Sequence, residues 1–148
     1  MMENKSAKVL KAREYFLGGY NCAQSVFAAF HEDIGMDEET ALKASCGLGG
    51  GIGRLREVCG AVCGAAMLCG FTEDATNKTD VYKKVQDIAE EFKKQNDTYI
   101  CRELLELKKG APTPHTPDKR TAEYYKSRPC LKLVEDVTEI VENMLFTK

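Results

Sequence analysis

The chain contains no tryptophan and only two histidines among its 148 residues. No aromatic ladder is available to stack on a nucleic-acid strand. Charge of one sign is lacking as well: the net charge is −2, with acids and bases interspersed. Without a basic field to hold phosphates, nucleic acid is excluded as a partner. No apolar run approaches the roughly 18 to 20 residues that a membrane helix needs, so the chain is not expected to be membrane-embedded. Met1 to Arg13 is charged and amphipathic, without the apolar core or cleavage site of a secretory leader, which points to the cytoplasm. Internal repeats and low-complexity tracts are missing, and residues 1–148 read as one domain.

What the chain does have is cysteine, seven in all, an odd number that cannot pair completely within one molecule. A domain of this length buries roughly two-thirds of its unfolded surface and needs no staple merely to fold. In a reducing compartment such thiols more often bind metal or carry out redox chemistry. There is no Cys-x-x-Cys pair and no zinc-finger spacing, which argues against a structural zinc ribbon.

The periodicity predicts an all-α fold, a compact multi-helix bundle of about six to seven helices. Ser6 to Leu17 forms the first, ended by Gly18 and Gly19. Asn21 caps a second, with Ala23, Val26, Phe27, Phe30 and Ile34 on one face and Gly35 as its stop. Asp37 opens a shorter helix to about Ala44. Further helices are expected over Glu57–Phe71, Thr79–Lys94, Tyr99–Lys109 and Pro129–Leu145. The small residues Gly60, Ala61, Gly64, Ala65 and Ala66 predict close helix packing. Gly110 to Lys119, with three prolines, reads as a mobile loop. Between Cys46 and Gly53 lie five glycines in eight residues, too many for a helix interior, so the backbone there is expected to pass close to something.

Placed on this map, Cys22, Cys59, Cys101 and Cys130 each fall at the start of an expected helix. A first turn offers unpaired N–H groups and the positive end of the helix dipole, both of which stabilise a thiolate. Four such placements predict one convergent site. The plainer alternative is core packing, since cysteine behaves as a small hydrophobe and Cys22 and Cys130 sit on apolar stripes. Cys59 and Cys63 stand four apart on one helical face, as two ligands or as an attacking thiol with its resolving partner. Cys46 and Cys69 default to packing. The glycine loop lacks the Gly-Lys-Ser/Thr ending of a phosphate-binding P-loop and follows no strand. His31 and His115 read as solvated. Tyr20, Arg102 and Glu103 adjoin cysteines and either tune them or form a solvated face.

Gly19-Tyr20-Asn21-Cys22-Ala23-Gln24-Ser25-Val26, Gly49-Gly50-Gly51-Ile52, Cys59-Gly60-Ala61-Val62-Cys63-Gly64-Ala65, Cys101-Arg102-Glu103-Leu104-Leu105 and finally Cys130 follow in order. In this the chain resembles the C_GCAxxG_C_C family, small prokaryotic proteins described as redox-active, over roughly Ala12 to Val141. The resemblance implies that Cys22, Cys59, Cys101 and Cys130 are the characteristic set, with Cys59-Gly60-Ala61-x-x-Gly64 as the central motif. Gly49, Gly50, Gly51, Gly60 and Gly64 would then let backbone approach whatever the cysteines hold. It further implies kinship with iron or iron–sulfur carriers and an association with transporters. Cys46, Cys63 and Cys69 are additions to the family pattern.

Three functions follow as expectations. The first is a metal site, in which Cys22, Cys59, Cys101 and Cys130 bind an iron–sulfur cluster or a single iron or zinc ion, possessing the soft ligands such metals select. The second is a metal-free thiol–disulfide protein, in which Cys59 attacks and Cys63 or another cysteine resolves, exchanging electrons with a redox partner protein. The third is a helical accessory module for a membrane transporter, its cysteines mere packing. The small-residue faces point to a homodimer.

Overall fold

The computed structural model describes residues 4–147. They form eight helices: α1 Ala7–Leu17, α2 Cys22–Ala29, α3 Glu38–Ser45, α4 Gly60–Cys69, α5 Lys78–Asn96, α6 Cys101–Leu104, α7 Ala122–Ser127 and α8 Cys130–Leu145. The expected all-α class holds. Among the described residues there is no strand, only an isolated antiparallel bridge between Val58 and Ile100. No helix among them is long and apolar enough to cross a membrane.

Local chemistry sets the helix starts. Ser6 accepts from the Val9 N–H, Asp37 from Thr40, Asn77 from Asp80 and Thr121 from Tyr124. At α2 the cap is reciprocal: Asn21 Oδ1 accepts from the Gln24 N–H while Gln24 Oε1 accepts from the Asn21 N–H. Asp97, with φ of 72°, ends α5 in the left-handed conformation.

Helix α2 lies at the centre, against α1, α3, α4 and α8. Every residue from Ala23 to Ala29 is buried, as expected of a helix with neighbours on all sides. Small residues bring α4 very close to it. A Cβ added at Gly64 would lie 2.7 Å from the Ala23 carbonyl oxygen, so glycine is required there by contact rather than by backbone conformation. The inward stripe of α8, Leu133, Val134, Val137, Ile140 and Val141, completes the core, and α5 contributes Ile88 and Phe92.

Three expectations need correction. Helix α2 ends at Ala29 rather than continuing to Ile34: turns follow, and the His31 ring nitrogen Nδ1 is 2.9 Å from the Met36 carbonyl. Phe30 remains buried, so the apolar pattern reported burial beyond the helix. The segment expected as a helix over Tyr99–Lys109 makes only the single turn α6. Its backbone is committed elsewhere, because the Cys59 N–H donates to the Tyr99 carbonyl and the Cys101 N–H to the Glu57 carbonyl. The same ladder delays α4 to Gly60. The proline segment is irregular, as expected, but it is tied down rather than loose. Arg54 donates to the Pro114 and Thr116 carbonyls, and Arg120 to those of Phe16 and Tyr20.

Candidate functional site

The four helix starts carry thiols as the sequence suggested. Cys22, Cys101 and Cys130 are the first residues of α2, α6 and α8, and Cys59 is the N-cap of α4. All four border one cavity of about 380 Å³. Two tertiary devices bring them together. The Val58–Ile100 bridge sets Cys59 beside Cys101, and the packing of α8 on α2 sets Cys130 beside Cys22.

The glycine loop forms the cavity wall. Gly50, Gly51 and Gly53 have positive φ, and so do Ile52, Arg54 and Arg56, which carry side chains. Carbonyls of residues 47–51 accept the N–H groups of Ile52, Gly53, Arg54, Arg56 and Glu57, and Leu55 donates to Ile52, winding the loop against the usual hand. The close approach expected of the glycines is visible at several points. A Cβ on Gly49 would collide with the Asn21 side chain, one on Gly51 would lie 2.8 Å from Cys101 Cβ, and one on Gly60 would lie 3.0 Å from the Leu48 carbonyl. Gly49, Gly50 and Gly60 line the cavity, whereas Gly64 serves the α2–α4 contact.

The sequence reading missed the arginines. Arg54, Arg56, Arg120 and Arg128 all line the cavity. Arg54 and Arg128 share the Asp118 carboxylate at 3.1 and 2.7 Å. Arg120 stacks over the Phe16 ring, 4.2 Å from its centroid. Arg56 is buried, with its Nη1 donating to Cys101 Sγ at 3.6 Å. The available signal was the Arg-x-Arg step directly after the glycines and the Arg-Pro pair before Cys130.

These surroundings divide the thiols. Cys22 is held down to about 6, first because the Cys130 thiol donates to its sulfur, then through the N–H groups of Gly50 and Cys22 itself and the Arg120 charge; burial opposes them. Cys130 is pushed far up by the same bond, since it keeps the proton, and by burial. Burial, then the Cys22 charge, raises Cys59. Burial also raises Cys101, although Arg56 offsets part of that. Cys22 thus favours the thiolate and Cys130 the thiol, inside a cavity lined by four arginines.

The remaining cysteines separate. Cys63 does not line the cavity; its thiol donates to the Val58 carbonyl at 3.6 Å and burial pushes it up to about 11. Cys69 is a buried packing residue, as expected. Cys46 is not: it is exposed at the cavity rim, and its carbonyl accepts from Asn21 Nδ2. His115 is exposed at the same rim. Arg102 is directed away from the thiols, donating to the Leu55 carbonyl and the Glu57 carboxylate. Among the described residues no three Cys, His, Asp or Glu side chains form a group set to hold a metal ion.

The proline segment closes the cavity through Asp118. Asp118→Ala is expected to raise the rate of proteolytic cleavage between residues 105 and 121 severalfold. The bridges are partly exposed, so global stability should fall by only about 1 kcal/mol or less. Limited proteolysis beside thermal unfolding checks both.

No curated protein and no solved structure matches the chain. A family profile does, over residues 20–144, under the description "Putative redox-active protein (C_GCAxxG_C_C)". With its ordered cysteines gathered around one cavity and nearly the whole chain covered, the protein belongs to the C_GCAxxG_C_C family.

Proposed function

We propose that the protein is a thiol–disulfide redox protein whose reactive pair is Cys22 and Cys130. The observation that carries this reading is the placement of Cys22 and Cys130 as the first residues of α2 and α8 on one cavity, where Cys130 holds the Cys22 thiol down. Cys22, as thiolate, is the attacking sulfur, and Cys130 resolves. Oxidation would close these two sulfurs, which border the same cavity, to the ~2.05 Å of a disulfide. This moves the attack from Cys59, whose burial keeps it protonated, and the resolving role from Cys63, which faces a carbonyl outside the cavity. Mild oxidation with diamide should remove two thiols per chain, reversibly, and peptide mapping should find Cys22 joined to Cys130. Unchanged thiol content, or a disulfide that leaves out Cys22, would overturn the reading.

A second reading is favoured by the placement of all four family cysteines on one cavity. Cys22, Cys59, Cys101 and Cys130 would hold an iron–sulfur cluster or a single iron or zinc ion, supplying four thiolates. Their present positions do not form a metal-holding group, so the sulfurs would have to draw together around it. Anaerobic purification with metal and sulfide analysis separates the readings. Stoichiometric metal lost on Cys130→Ser supports this one, and metal-free protein opposes it.

A further inference from the structure

Arg56 is a buried cation without a carboxylate. It is 7 % exposed, and among the described residues none of the ion pairs includes it. Its one hydrogen bond to a side chain is the long contact to Cys101 Sγ. Burying a guanidinium is costly unless an anion or a full set of acceptors meets it. Arg120 also lacks a carboxylate partner and is held by two backbone carbonyls. Four guanidiniums line the cavity against the single carboxylate of Asp118. Even with Cys22 as a thiolate, the balance stays positive. The left-handed loop fixes the backbone of Arg54 and Arg56, so these charges are part of the wall.

We propose that this cavity selects small anionic disulfides, with Arg56 binding the carboxylate or other acidic group of the substrate beside Cys22. The inference rests on the Cys22–Cys130 reading and names its substrate class. A cavity of about 380 Å³ limits the substrate to a small molecule or one arm of a larger one. In the exchange, the Cys22 thiolate attacks one substrate sulfur. A Cys22–sulfur bond forms, the substrate S–S bond breaks, and the leaving thiolate carries away the electron pair. Cys130, giving its proton to that thiolate, then attacks Cys22 Sγ and releases the second half as a thiolate. The substrate gains two electrons, and the two cysteines lose them as one disulfide.

Three disulfides of similar size and different charge test this on the full chain: dithiodiglycolate (anionic), hydroxyethyl disulfide (neutral) and cystamine (cationic). Rates of thiol loss at neutral pH and low salt are each divided by the rate with a free neutral thiol. The anionic reagent should exceed the cationic one by about tenfold or more, a preference that shrinks as salt is added. Arg56→Gln should cut the preference severalfold, and Arg56→Lys should retain most of it. Equal rates for the three reagents in the wild type, or a preference untouched in a folded Arg56→Gln protein, would overturn the proposal. The neutral reagent separates the two layers. Failure to form the Cys22–Cys130 disulfide with it sinks the redox reading itself, whereas success without charge preference sinks only the anion site.

Discussion

Replacing Cys130 with alanine should move the pH midpoint of Cys22 alkylation upward by about one unit or more from its value near 6. The largest support for the Cys22 thiolate is the proton donated by Cys130, and alanine removes it. The N–H groups of Gly50 and Cys22 and the Arg120 charge remain, so the midpoint should stop short of an ordinary thiol's. The sign follows from ionisation: losing a donor that favours the charged form raises the pKa, and reactivity then appears only at higher pH. The midpoint is the proper readout, because the rate at neutral pH changes little. A thiolate of higher pKa is scarcer but intrinsically more nucleophilic, with a Brønsted slope of about 0.4–0.5 that cancels part of the loss. Cys130→Ser, which retains a hydroxyl donor, should fall between. Iodoacetamide labelling against pH, with Cys22 quantified by peptide mass, decides it. An unmoved midpoint would place the support for the thiolate elsewhere.

Gly64→Ala should destabilise the fold by about 1–3 kcal/mol, the usual range for overpacking a tight contact. Helix propensity alone gives the opposite sign, since alanine is favoured over glycine by about 1 kcal/mol in a helix interior. The contact wins because the new Cβ would lie 2.7 Å from the Ala23 carbonyl oxygen, which is backbone and cannot swing aside. For a chain of this length, each kcal/mol lowers Tm by a few degrees. Gly70→Ala is the matched control. Its φ is −65°, no atom lies within 4 Å of the added Cβ, and the change should be neutral or slightly stabilising. Thermal unfolding of the pair checks the argument. Equal Tm values would show that α4 can retreat from α2 freely.

Much of this was legible in the chain because it is local. Caps, glycine stops and apolar stripes mark most helices, and four thiols at helix starts could be read from their neighbours. Clustering five glycines announced a close approach, which Gly49, Gly51 and Gly60 make. What could not be read was set by distant partners. Residues 99–109 carry a helical pattern, but Tyr99 and Cys101 spend their backbone groups on Glu57 and Cys59. The short helix α7 carries no apolar period to betray it. Arg120 and Arg128 enter the cavity from far along the chain, and no spacing rule ties them to Arg54 and Arg56. The division of labour among the thiols depends on those arginines and on the Cys22–Cys130 contact, so it too was beyond local reading.

The burial of α2 assigns unequal freedom to the two proposed partners. Cys22 begins a helix gripped on every side, and shifting it would disturb the whole interior. Cys130 begins α8 after α7, which has no buried residue, and after a segment secured chiefly by arginine tethers. On the proposed reading, closing the pair would draw on the start of α8 alone, since its later turns, from Leu133 on, are packed in the core. If the proposed disulfide forms, it would pull on the outer strap of the molecule, while the central helix serves as a stationary anvil.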